Sequence, residues 1–315
     1  MLNEAQLPGG VLLLRSASED NGLDKYEEAF RARGYRALSI PVLETVHTNT
    51  ERLANVVRAG GLIAQQTEKG YAGVIVTSGR ACEAWRLVVE QLAMDGRYSR
   101  EAGGWSTIPF YTVGQATASA LSAIRDSFPS YPYAPNDIRG AAESGSSEKL
   151  AHFIVSDLSA RSEDARGRKL LYLTGDKNRD TLPKILTDAG IGLDSLQVYA
   201  TQGSSRFEED LGNALEGVQG LDPERDESWW IVHFAPSSAK HTLPILSKHF
   251  DMPANVKTEG QKTNTHRHAR LAAIGPTTST YLEAELHLRV DVVAEKPKPD
   301  ALAAGIACWD REQGP

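Results

Sequence analysis

Two cysteines, Cys82 and Cys308, are all that the 315 residues contain, and neither belongs to a Cys-x-x-Cys pair. They offer no disulfide framework, which suits a reducing compartment. No apolar run approaches the roughly 20 residues that cross a bilayer. The N-terminal Met-Leu-Asn-Glu-Ala-Gln also lacks the basic, then apolar order of a secretory signal. A soluble cytoplasmic protein is the expectation. There is no G-x-G-x-x-G and no G-x-x-x-x-G-K-[ST], which disfavours a dinucleotide or a nucleoside triphosphate. G-x-S-x-G and H-E-x-x-H are missing too, as are paired carboxylates at strand ends, so hydrolase chemistry of those kinds has no carrier. His266-Arg267-His268 could bind a metal, but it stands in a polar stretch and reads more simply as a solvated loop. The site is expected to need no metal and no cofactor. A net charge of −7 argues against a nucleic-acid partner.

What is present is a repeat. Val-Leu-Leu-Leu at 11–14 answers to Leu-Leu-Tyr-Leu at 170–173, and the helices that follow stop at Gly34 and Gly190. Gly73–Arg80 answers to Trp230–Ser237, Tyr111–Thr117 to Ala272–Thr278, and Tyr133-Ala134 to Val293-Ala294. The offsets stay between 156 and 161 residues. A chain of 315 residues suits two domains of roughly 100–150 residues. Two similar lobes are expected to face each other across a cleft, a favoured place for a ligand.

Strands are predicted at 10–14, 38–45, 72–77, 109–113, 131–134, 169–174, 195–201, 229–234, 270–274 and 290–294. Several are continuous Val/Ile/Leu runs, the pattern of parallel strands covered on both faces. Between them lie helical stripes, such as Leu23, Tyr26 and Phe30, then Ala81, Trp85, Val88 and Leu92. Core packing is the plain reading of every stripe. Strand alternating with helix predicts an α/β fold of two Rossmann- or flavodoxin-like lobes with parallel sheets. The acidic 204–228 segment is expected to hold a surface helix. The polar stretch 252–270, with Lys257 and Lys262, has too little apolar side chain to bury and is expected to be mobile.

Ligands of open parallel sheets bind outside the carboxyl ends of the strands. The loops that qualify are Arg15–Asn21; Thr77, Ser78, Gly79 and Arg80; Gly114, Gln115, Ala116 and Thr117; and Thr174, Gly175, Asp176 and Lys177. To these are added Ala235, Pro236, Ser237 and Ser238, with Gly275, Pro276, Thr277 and Thr278. Small polar residues directly before helices cap their N-termini, where free N–H groups and the helix dipole attract anions. One such loop is ordinary helix capping; five or more suggest a ligand with many negative groups. Arg15, Arg80, Lys177 and Arg179 are placed to supplement them. Tyr199 lies late in a predicted strand, on the face shared with Gln197 and Thr201. A phenol can donate a proton to a leaving hydroxyl, and a half-buried packing tyrosine is the plain alternative.

Taken in order, the motifs resemble the uroporphyrinogen-III synthase family. They are Ile40–Leu43, Val76–Ala81, Val113–Thr117, Thr174-Gly175, Leu182-Pro183, Val198–Thr201, Phe234–Ser237, Ala273–Thr278 and Ala294–Leu302. Three positions depart from the family pattern: Gly79 and Lys298, where Pro and Thr are common, and Ala235, where a serine hydroxyl is common. The resemblance implies that residues 1–40 with 203–315 form one discontinuous domain and 47–196 the other. Segments 41–46 and 197–202 would cross between them as a two-stranded hinge. It also implies a lyase that closes hydroxymethylbilane with loss of water and inversion of the last pyrrole ring, with Tyr199 as the catalytic residue and the loops above binding substrate carboxylates. Its partner would be this linear tetrapyrrole, with the chain a monomer in transient contact with the upstream hydroxymethylbilane-producing enzyme. A non-catalytic bilobal module sensing an anionic metabolite would use the same loops without a proton donor. A two-domain group transferase is the further alternative, disfavoured by the missing nucleotide motifs.

Overall fold

The structure, a computed structural model, describes residues 10–18, 24–60, 70–96, 104–161, 169–216, 227–254 and 267–313. Leu23, the end of the Arg15–Asn21 loop, residues 217–226 of the acidic segment, and Lys257, Lys262 and His266 lie outside the described residues. The chain divides into two compact units, Met1–Glu44 with Gln202–Pro315, and Thr45–Thr201. It begins with β1 (Val11–Leu14), α1 (Lys25–Arg31), β2 (Ala37–Ser39) and β3 (Leu43–His47). Next come α2 (Thr50–Ala59), β4 (Tyr71–Val76), α3 (Gly79–Met94), β5 (Pro109–Thr112), α4 (Gly114–Ser127) and β6 (Asp137–Arg139). α5 (Ser147–Ser159), β7 (Lys169–Thr174), α6 (Thr181–Asp188), β8 (Leu193–Gln197) and β9 (Tyr199–Gly203) follow. The last part holds α7 (Phe207–Glu216), β10 (Glu227–His233), α8 (Pro236–Leu246), β11 (Arg267–Ala273), α9 (Pro276–Ala284), β12 (Val292–Val293) and α10 (Pro299–Gln313).

Each unit is built on a five-stranded sheet whose paired strands all run parallel. The order is β12-β11-β10-β1-β2 in one and β6-β5-β4-β7-β8 in the other. Replacing β1 by β7, β2 by β8, and β10–β12 by β4–β6 converts one order into the other, so the sequence repeat is a structural one. It is also exchanged. β1 and β2 of the first repeat pair with β10–β12 of the second, while β7 and β8 of the second complete the sheet begun by β4–β6.

Parallel strands need cover on both faces, and the alternation of β1 shows how the sequence supplies it. Leu12 and Leu14 pack with Phe207, Leu211 and Ala239, whereas Val11 and Leu13 pack with Phe30, Leu302 and Ile306 on the opposite face. All four β1 residues are at most 1% exposed, and burial stabilises by about 1.5–3 kcal/mol per large apolar side chain. In the other unit Trp85 of α3 meets Trp105 and Phe110 edge-on, each at 5.0 Å between ring centroids. The acidic segment contains the amphipathic α7, which buries Phe207, Leu211 and Leu215.

Two expected strands are broken in a corresponding way. The 38–45 run divides into β2 and β3 around Ile40-Pro41-Val42, and the 195–201 run into β8 and β9 at Val198. In both, a buried aliphatic residue at the break uses its amide on a neighbouring strand end. Ile40 N–H donates to Leu13 O at 2.9 Å and Val198 N–H to Thr174 O at 2.9 Å. Beyond each break the chain joins a separate two-stranded sheet, β3 with β9. Thr48 N–H donates to Val198 O and Ser204 N–H to Val42 O, each at 3.0 Å. The expected strand at 131–134 is a turn, and the strand lies at Asp137–Arg139 instead. Pro132 and Pro135 have no N–H to give a ladder, although Tyr133 and Ala134 are buried as the apolar pattern requires.

Candidate functional site

In the 45–201 unit, β4 ends at Val76 and the chain turns through Thr77 and Ser78 into α3. Ser78 has extended backbone (φ −148°), and its Oγ accepts the Ala81 N–H at 3.3 Å, as an N-cap should. The same hydroxyl lies 3.2 Å from the phenol oxygen of Tyr199. Gly175, just past β7, supports that ring, since a Cβ at this position would lie 2.5 Å from two ring carbons. The Arg80 guanidinium carbon stands 5.7 Å from the ring centroid, and Nη1 donates to Thr201 Oγ1 at 3.3 Å. Thr77 is hydrogen-bonded to Tyr172, whose hydroxyl burial pushes up in pKa. Thus Thr77, Ser78, Arg80, Gly175 and Tyr199 come together. Gly79 is exposed, and a Cβ there would meet nothing within 4 Å, so its departure from proline is sterically neutral.

The loop after β7 is shaped by a residue that sequence reasoning missed. Asn178 takes the Gly175 N–H at 3.2 Å and donates back to Gly175 O at 2.6 Å, fixing the turn that presents Asp176, Lys177 and Arg179 to solvent. An asparagine three residues after a glycine is the available signal, because such amides satisfy their own backbone. At α4 the turn begins with Gly114 at φ +73°, a conformation that glycine adopts without strain. Its N–H donates to Ser144 O at 3.0 Å, and no side chain caps the helix. Gln115 and Ala116 are exposed, but Thr117 is buried beside Ala118 and Leu121. Its carbonyl oxygen lies 3.7 Å from Cys82 Sγ.

In the other unit, α8 and α9 start at the carboxyl ends of β10 and β11. Their N-cap residues are Ala235 and Gly275, neither of which supplies a side-chain cap, and proline occupies the first turn of each. The expected Ser/Thr caps are therefore absent at these two helices, and main-chain N–H groups of the first turn are left for solvent or a ligand. Ala235 is the position where a serine would have capped the helix. A pocket of about 370 Å³ opens between these turns, walled by Phe234, Ala235, Ile274, Ala294 and Pro297, with Pro236, Thr277, Thr278 and Glu295 also lining it. Ser237 and Thr277 are exposed, whereas Ser238 and Thr278 are buried at 1% and 3% exposure. Ser238 donates to Ala235 O at 2.9 Å. The signal was legible. Thr117, Ser238 and Thr278 each share a buried stripe with a later apolar residue of their helix, Leu121, Leu246 and Leu282, so they face the core.

Arg15 is held from within. Nη1 donates to Asp24 Oδ2 at 2.7 Å, and the guanidinium carbon lies 4.9 Å from the Tyr26 ring centroid and 5.6 Å from that of Phe234. Asp24 is the N-cap of α1 and also takes the Tyr26, Glu27 and Ser18 N–H groups. Burial alone would raise its pKa, but the Arg15 and backbone hydrogen bonds outweigh it and hold the carboxyl at about 2. Much of the Arg15 charge is thereby matched inside the unit. Among the described residues, no group of three or more His, Cys, Asp or Glu side chains could hold a metal ion.

A sequence model described as uroporphyrinogen-III synthase HemD matches residues 24–304. The chain is 26% identical over 311 residues to the uroporphyrinogen-III synthase of Saccharomyces cerevisiae, covering 96% of this chain and 97% of that one. It is 29% identical over 302 residues to the synthase of Schizosaccharomyces pombe, covering 96% and 98%. Among solved structures, the uroporphyrinogen-III synthetase of Helicobacter pylori aligns with a TM-score of 0.39 at 17% identity, covering 95% of this chain and 98% of that one. The wild-type Thermus thermophilus enzyme aligns at 0.36 and 17%, covering 97% and 99%. With a family match spanning nearly its whole length, the chain belongs to the uroporphyrinogen-III synthase family.

Proposed function

We propose that the protein is a uroporphyrinogen-III synthase, closing hydroxymethylbilane to uroporphyrinogen III with loss of water and inversion of the last ring. The family match over residues 24–304 carries this reading. The placement of Tyr199 supports it, with a phenol seated on Gly175 among hydroxyl and N–H-rich turns. The reaction asks for a proton to the leaving hydroxyl, stabilisation of the cation left behind, and one folded conformation of a floppy substrate. Tyr199 is the proposed donor. The turns of α3 and α4, the 174–179 loop, and the turns of α8 and α9 are proposed to take the eight substrate carboxylates. Arg80, Lys177 and Arg179 would assist, while Arg15 would act through its place behind Phe234.

In the same proposal, 41–46 and 197–202 are the segments that cross between two domains. The unit boundaries at Glu44/Thr45 and Thr201/Gln202 support this. A monomer is favoured because Met94 and Val293 are the exposed large apolar side chains among the described residues. No helix among the described residues is long and apolar enough to cross a membrane. A cytoplasmic location and transient contact with the upstream enzyme complete the proposal, the former supported by free Cys82 and Cys308. The deciding experiment supplies enzymatically generated hydroxymethylbilane and separates the porphyrin isomers after oxidation. Type III in excess is expected, and the type I isomer alone, as from spontaneous closure, would refute the reading.

A further inference from the structure

The Ser78 hydroxyl has one proton and two lone pairs. One lone pair serves the Ala81 N–H at 3.3 Å, as the helix cap. Its proton is free to point at the Tyr199 oxygen 3.2 Å away. With Ser78 donating, Tyr199 does not spend its own proton on Ser78 and can turn it elsewhere. The ring itself has little freedom to swing, with Gly175 against one side and the Arg80 guanidinium carbon 5.7 Å from the centroid. Thr201 Oγ1 accepts from Arg80 and keeps that positive charge beside the ring.

We propose that Ser78 is a positioning residue for the Tyr199 proton, rather than only a helix cap or a substrate contact. Its hydroxyl donates to the phenol oxygen, aims the phenol proton at the ligand, and meets the charge left on that oxygen as the proton departs. The inference rests on the reading of Tyr199 as the donor. In that step the Tyr199 O–H bond breaks and its proton joins the leaving hydroxyl. The C–O bond then breaks, and water departs with its electron pair. The phenolate recovers a proton when ring closure releases one from the attacked pyrrole carbon. Hydrogen bonds to a charged group are stronger than neutral ones, so the Ser78 contact gains strength as the step proceeds.

Aspartate caps a helix as well as serine does, but at neutral pH it has no proton to donate. Ser78→Asp therefore keeps the helix cap while removing the donor, and Ser78→Ala removes the donor without adding a charge. Ser78→Asp, Ser78→Ala and Ser78→Thr should be measured by single turnover, alone and with Tyr199→Phe, with product affinity and urea midpoints alongside. Ser78→Asp and Ser78→Ala are expected to slow turnover about tenfold; product affinity should stay close to that of the unaltered protein in Ser78→Ala, whereas in Ser78→Asp the added charge among the carboxylate-binding turns should lower it as well. Threonine should recover most of the rate, and Ser78→Ala should add no further loss once Tyr199 is phenylalanine. An undiminished rate in Ser78→Asp would reduce Ser78 to a cap. A loss that adds fully to that of Tyr199→Phe, or one confined to affinity, would make Ser78 an independent substrate contact and overturn the proposal alone. An unaltered rate in Tyr199→Phe by itself would remove the donor reading, and this inference with it.

Discussion

The Tyr199 ring fills the space that a side chain at Gly175 would need: a Cβ there would lie 2.5 Å from Cε2 and Cζ and 2.8 Å from the phenol oxygen. Gly175→Ala must displace the phenol from Ser78 or the turn from Asn178. Overpacking of this kind costs about 1–3 kcal/mol. The urea midpoint should fall accordingly, and single-turnover rate should drop toward that of a protein lacking the phenol hydroxyl. A rate and a midpoint both unchanged would mean that the ring relocates freely.

Tyr199→Phe keeps the ring and its packing against Gly175 but removes the proton. General acid help is worth roughly 10²–10⁴-fold. The pyrrole nitrogen already pushes the hydroxyl out, so the expected loss is about 10²-fold, at the low end. Product affinity and the thermal midpoint should change little. Turnover at the unaltered rate would leave Tyr199 a packing residue.

Thr277 and Thr278 are neighbours with opposite expectations. Thr277 is exposed at the pocket, and Thr278 is 3% exposed on the core face of α9. Thr277→Ala should weaken product binding by about 1 kcal/mol, the scale of one neutral hydrogen bond, with stability preserved. Thr278→Ala should appear chiefly in the unfolding midpoint. Titration calorimetry and urea unfolding on both variants distinguish these outcomes.

His233, at the end of β10, is fully buried, and neither ring nitrogen has a hydrogen-bond partner among the described residues. Burial pushes its pKa down to about 4, whereas an unfolded histidine titrates near 6.5. Between those values the unfolded chain takes up a proton that the folded one refuses. Its contribution is therefore fully favourable above about pH 6.5 and is lost as pH falls toward 4, by at most about 1.4 kcal/mol per unit. His233→Leu should flatten the fall in urea midpoint between pH 7 and 5. An equally steep fall in the variant would assign it to another group.

The alternation of strand and helix, and the repeat at offsets of 156 to 161 residues, are visible as hydrophobic periodicity, which is what sets the two parallel sheets. The breaks at Ile40–Val42 and Val198 were hidden because a strand that changes partners keeps its β pattern while its hydrogen bonds move elsewhere. The turn at Tyr131–Ala134 reads as a strand because Tyr133 and Ala134 are buried, as they would be in a strand; the flanking prolines are the contrary signal. Of the site, the loop positions were legible from small residues ahead of helices. What each loop residue touches was less so. Asp24 claims Arg15 from nine residues away, and Ser78 meets Tyr199 from 121 residues away, separations that local pattern cannot bridge.

The exchanged strands also set an order of events during synthesis. The strands of the 45–201 sheet all lie between residues 71 and 197, so that sheet can close while the chain is still growing. β1 must wait for β10, which begins only at residue 227. At roughly 5–20 residues per second that is on the order of 10–40 s. Through that interval the Val-Leu-Leu-Leu edge of β1 is without its central partner. Until then β1 of a nascent chain is open to misassociation, and holding factors that cover early apolar segments should raise the yield of folded protein.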